Sequence, residues 1–161
     1  MQYQNVMTSF KCLSVSQPFA YLIISGKKKI ELRSWNTNFR GDILIHAPLK
    51  IRKSDCRRLH VEGKHLVTGA IIGKATLYDV KKYGTKREWI DDARYHLASS
   101  AFSSKRYGFL LKNAKAFSIP ISCKGRLGLF DVQIGATGPN DVQIASDIFD
   151  EEYRTQWINH H

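Results

Sequence analysis

The stretch Gly26-Lys27-Lys28-Lys29-Ile30-Glu31-Leu32-Arg33-Ser34-Trp35 decides how this chain folds. Its cations, carboxylate and indole are too polar for a core and too regularly placed for a linker. To its left, Ser16 suits an N-cap and Pro18 a first turn. Phe19, Leu22 and Ile23 recur at helical spacing until Gly26 supplies a left-handed stop, which predicts a short helix over residues 17–25. Lys27, Lys28 and Lys29 then lie where the carbonyl end of the helix favours cations. To its right the period becomes two: Ile30 and Leu32 point one way, and Lys29, Glu31, Arg33 and Trp35 the other. The result is a strand with one charged face.

Further out, Asn36-Thr37-Asn38 reads as a turn. Gly41 to Ala47 reads as a strand with Ile43, Ile45 and Ala47 on one face and Asp42, Leu44 and His46 on the other. A second helix is expected from Ser54, and residues 66–78 form a long strand bent at Gly69 and Gly73. A third helix over 86–99 carries Trp89, Ile90, Ala93 and Leu97. Strands over 107–117 and 127–134 are separated by Pro120 and the Lys124-Gly125-Arg126 connection. Short strands with glycine-bent corners, interrupted by helices, suit a small barrel that closes its sheet edges. One domain over 1–134 is expected, followed at 135–161 by a linker and an acidic terminal helix whose Phe149, Tyr153 and Trp157 stripe docks on the domain.

Gly26, Lys28, Glu31 and Arg33 fit the pattern G-x-K-x-x-E-x-R. Gln17-Pro18-Phe19-Ala20 precedes it, and Ser34-Trp35, Arg40-Gly41 and Ile45-His46-Ala47 follow. Tyr107-Gly108-Phe109 and the run from Pro120-Ile121 through Lys124-Gly125-Arg126-Leu127-Gly128 complete the set. With these elements the chain resembles the ASCH family (activating-signal-cointegrator homology domain) of the PUA-like superfamily, over roughly residues 10 to 134. The resemblance implies an α+β fold, a PUA-like small β-barrel with flanking helices and a cleft between them.

Lys and Arg number 25 against 14 Asp and Glu, a formal charge of +11. The tail from Gly135 holds five of the acids and one base, so residues 1–134 carry +15. Such a field concentrates polyanions and favours phosphate contacts with counterion release. No apolar run approaches the roughly 20 residues of a membrane-spanning helix. The first residues lack the build of a secretory signal. Three widely spaced cysteines, Cys12, Cys56 and Cys123, argue against a disulfide framework, so a cytoplasmic setting is expected. Cys56, His60 and His65 have no second close ligand pair at structural-zinc spacing, so no metal and no cofactor is expected.

The expected partner is RNA or single-stranded nucleic acid, held in a basic cleft. The resemblance places Lys28, Glu31 and Arg33 on the cleft lining. Arg33 offers a fork to phosphate or a base edge, Lys28 a mobile point charge, and Glu31 either accepts from an exocyclic amine or orients Arg33. Trp35 is the stacking candidate, because it shares the polar face with Arg33, whereas Phe39 and Tyr107 read as core. Arg40, Gly41, His46, Lys124 and Arg126 complete the candidate set; at Arg40-Gly41 and in the Lys124 to Gly128 loop, backbone amides lie beside cations with no bulky side chain between.

Two other readings stay open. One is an enzyme in the same cleft, a ribonuclease or a modified-nucleoside hydrolase, with Lys28 and Glu31 as catalytic candidates. One ASCH-like branch uses a lysine, a threonine three residues later and a distant glutamate, and the third successor of Lys28 is Glu31 instead. The other reading is a protein-interaction module in transcription or translation regulation.

Overall fold

The computed structural model describes residues 7–102, 105–135 and 147–148. The strands are β1 (Met7–Ser14), β2 (Ile30–Arg33), β3 (Gly41–Ala47), β4 (Ala70–Lys82), β5 (Tyr107–Ser122) and β6 (Leu129–Gly135). The helices are α1 (Phe19–Ile24), α2 (Lys53–Arg58), α3 (Lys86–Asp91) and α4 (Ala93–His96), with one 3-10 turn at Gly63–His65. The strands form one mixed sheet in the order β2-β5-β4-β3-β1-β6. β1 and β3 run parallel, and the remaining neighbours are antiparallel. The fold is thus α+β. No ladder joins β2 to β6 among the described residues, so the pairing itself does not close a barrel.

β1 is the strand that periodicity did not reveal. Cys12 and Leu13, neighbours on opposite faces, are both fully buried, so apolar–polar alternation is lost there. The same double burial governs β3. Ile43 and Ile45 pack into the core beneath α1, while Leu44 packs against Phe117 and Phe130 on the other side. The face that carries Leu44 and His46 is therefore covered too, and His46 lies within it at 1% exposure.

Local signals set α1, with differences at its start. The carbonyl of Ser16, rather than its hydroxyl, accepts from Phe19 N (3.0 Å). The side chain that caps the turn is Gln17, whose Oε1 accepts from Tyr21 N (2.9 Å). Gly26 adopts φ +80°, the conformation a side chain would strain, and turns the chain toward β2. β4 starts at Ala70, later than expected, and its pairing with β5 shifts register at Ile71/Gly73, Lys74/Thr76 and Leu77/Asp79. β5 runs through Pro120, which lies beyond the part of β5 that β2 covers; among the described residues no strand pairs with that edge there. The helix expected over 86–99 is two short ones broken at Asp92, whose carboxylate accepts from Lys81 Nζ (2.9 Å) and Tyr83 Oη (2.6 Å). Phe149, Tyr153, Trp157 and the rest of the expected terminal helix beyond Asp147 and Ile148 lie outside the described residues.

Candidate nucleic-acid cleft

α1, the turn after it and β2 bring Lys28, Glu31 and Arg33 into one linked cluster. Glu31 Oε2 accepts from Arg33 Nη2 (2.8 Å) and Nε (3.1 Å), and Glu31 Oε1 lies 3.3 Å from Lys28 Nζ. Lys28 is 2% exposed, donates to the carbonyl of His96, and sits 5.0 Å from the Phe19 ring centroid. It is therefore a fixed charge and not the mobile one expected from the sequence. Burial lowers its pKa, and Glu31 holds it up. Burial also pushes the Glu31 carboxyl up, but Arg33 and Lys28 outweigh this and keep it below its ordinary value.

His96 anchors this arrangement from α4. Its Nε2 donates to the carbonyl of Trp89 (2.9 Å), which leaves Nδ1 to accept from Ala98 N (3.0 Å). Burial depresses its pKa, so the imidazole stays neutral beside Lys28. Arg33 works outward: its Nη2 also donates to Ser14 O (2.7 Å), linking the end of β2 to the end of β1.

Lys28, Glu31 and Arg33 line a cleft of about 140 Å³ with Ser14, Ser16, Phe19, Arg52, Ser99, Ser100 and Lys105. Arg52 is braced by Asp55, 2.8 Å from its Nε. Asp55 also accepts from Arg58 (2.9 Å) and Ser99 (2.9 Å); burial opposes its charge, but these bonds hold its carboxyl below the ordinary range. Lys105 has no ion-pair partner among the described residues. No local pattern pointed to Arg52, Lys105 or the serines, because the chain brings them in from segments distant from the octet.

The remaining candidates lie elsewhere. The Trp35 ring meets Phe109 edge-on, centroids 5.1 Å apart, and packs against the core beside Phe39 and Tyr107. Arg40 donates to the carbonyls of Thr37 and Phe39 (both 2.9 Å) and lies 3.5 Å from Asp79, near Gly41 and away from the cleft lining. His46 Nε2 donates to Cys123 O (2.7 Å), so its Nδ1 accepts from Ser14 Oγ (2.9 Å). Lys124, Gly125 and Arg126 line a second, larger cavity across Ser14. Among the described residues no group of three or more His, Cys, Asp or Glu is placed to hold a metal, and no helix is long and apolar enough to cross a membrane.

An α+β sheet with short helices around a buried K-x-x-E-x-R cluster defines the class. The ASCH domain profile matches residues 13–121, and the chain belongs to the ASCH domain family. It is 28% identical over 136 residues to human activating signal cointegrator 1 and 26% identical to the mouse protein. Those alignments span 77% of this chain and 22% of each relative. The ASCH protein from Zymomonas mobilis shares the fold, with a TM-score of 0.52 at 17% identity over 92% of this chain and 93% of that one. A serine-to-alanine mutant of the same bacterial protein gives 0.53 at 18% identity, with the same coverage of both chains.

Proposed function

We propose that this protein binds RNA, or another single-stranded nucleic acid, through phosphate contacts in the cleft at Arg33. The observation that carries the reading is the convergence of Lys28, Arg33, Arg52 and Lys105 on a small cavity whose lining, among the described residues, holds a single carboxylate, Glu31. Buried Glu31 aligns the Arg33 fork, and Lys105 supplies a charge not engaged elsewhere among the described residues. The hydroxyls of Ser16 and Ser100, from two segments, add donors suited to phosphate oxygens. The +15 excess of residues 1–134 draws polyanions toward the site. The contact of Arg33 with Ser14 ties the end of β2 to the end of β1 beside the cleft.

Fluorescence anisotropy with a labelled single-stranded RNA tests the reading. Affinity is expected to fall steeply with salt, with a log–log slope of roughly −0.7 per phosphate contact. Arg33→Ala and Lys105→Ala are expected to weaken it. A flat salt response, or unchanged affinity in both variants, rejects the proposal.

A second reading, turnover where the cleft meets the cavity across Ser14, draws on Ser14 and His46. A serine hydroxyl donating to an imidazole whose other nitrogen is fixed by a carbonyl has the form of a nucleophile–base pair. RNA cleavage lost in Ser14→Ala, with binding retained, supports this reading; no cleavage by the native protein removes it.

A further inference from the structure

We infer that the groove adjoining the cleft, between the turn after β3 and the β5–β6 loop, receives an unstacked nucleobase from the strand whose phosphate enters the cleft. The inference rests on the nucleic-acid reading above. At about 140 Å³ the cleft falls below the roughly 300–1,000 Å³ of small-molecule sites, so a phosphate fits but a whole nucleotide does not. The base must lie outside. Across Ser14, which lines both cavities, the groove offers about 800 Å³.

Its chemistry suits a base attached to phosphates. Leu49 and Leu127 stand on its lining at 81% and 98% exposure, apolar surface that gains from being covered. Among the described residues Lys124 and Arg126 line the same groove without ion-pair partners, and no carboxylate lines it. An occupant with an apolar face and negative charge matches that combination. Gly125 shapes the floor: a Cβ there would lie 2.6 Å from Ser14 Oγ and 2.8 Å from His46 Cε1, so only glycine lets the loop backbone lie against that pair. A base stacked in a duplex cannot enter such a groove, whereas a splayed base can.

The test compares a labelled single-stranded RNA with the same strand made abasic at its central positions, on the full chain and on Leu49→Ser/Leu127→Ser. Both leucines are exposed and the replacements neutral, so fold and long-range field are preserved. The native chain is expected to bind the intact strand at least about fivefold more tightly than the abasic one. The double variant is expected to lose that difference while keeping its affinity for the abasic strand. Equal, salt-dependent binding of both strands by the native chain overturns the inference and leaves the cleft reading standing. A double variant that still discriminates overturns it by placing the base elsewhere. Binding of neither strand ends the cleft reading, and the inference with it. A leucine-bearing acidic peptide whose binding the double variant abolishes, with RNA discrimination unchanged, assigns the groove to a protein partner and also overturns it.

Discussion

Arg33 and Arg40, close in sequence, are held in opposite ways. Around Glu31 the side chains of Lys28, Glu31 and Arg33 are 2%, 10% and 19% exposed, and each partner limits where the next can go. Arg40 meets Asp79 at 3.5 Å with both side chains open to water. Solvent screens the second pair, and it contributes little. The first is a buried cluster whose net positive charge needs its carboxylate, so removing one member leaves charge stranded away from water. The difference shows that in the octet Glu31 has become a structural brace for the cations beside it. A variant of Glu31 therefore reports on folding as well as on binding.

The largest effect that tests this comparison is on stability. Glu31→Ala is expected to destabilise the domain by about 3 to 5 kcal/mol, and Arg40→Ala by about 0 to 1 kcal/mol, in urea titrations with unchanged m-values. Similar losses for the two variants would erase the distinction.

Acid sharpens the same contrast. The folded pKa of Glu31 lies below its ordinary 4.5, so the unfolded chain takes up the proton first. The stability owed to Glu31 is complete above that value and is lost as pH falls through the folded pKa. His96 acts in the same direction from below 6.5, because its buried imidazole resists protonation. Thermal melts across this range should show native stability falling with acid, and a shallower fall below pH 4.5 in Glu31→Gln. Lys28 adds to the same trend at high pH. With its folded pKa below 10.5, its burial penalty is relieved as pH rises. In Glu31→Gln its amine should titrate still lower, as ¹³C-lysine NMR can follow; an unchanged titration would break the proposed coupling.

Binding gives the next effect in size. Lys105→Ala should lower the salt slope of RNA affinity by about 0.7 with no shift in melting temperature. An unchanged slope would remove Lys105 from the interface. The smallest effect is expected at Trp35. Because its ring packs on Phe109, Trp35→Leu should change stability modestly, by less than about 1.5 kcal/mol, and leave RNA affinity alone. A marked loss of affinity would restore Trp35 as a stacking platform.

Much of this was legible in the chain itself. Gly26 and the change of period after it placed α1 and β2, and the octet named Lys28, Glu31 and Arg33 together. Alternation also sets the two faces along Gly41–Ala47, but whether a face is wet depends on what covers it. Leu44 and His46 point away from Ile43 and Ile45 as alternation requires, yet Phe117, Phe130 and the β5–β6 loop bury that side. The long helix expected over 86–99 failed for a related reason: Asp92 is engaged by Lys81 and Tyr83, and the chain turns there.

The sequence by itself determined the family, the excess of positive charge and the local elements around the octet, because spacing and composition act over a few residues. Only the tertiary structure decided which charges became fixed. Lys28 is held by a carbonyl 68 positions away and His46 by one 77 positions away, and Lys105 and Arg52 reach the cleft from separate segments. Burial and desolvation depend on what packs across a residue, and no local period in a chain encodes that.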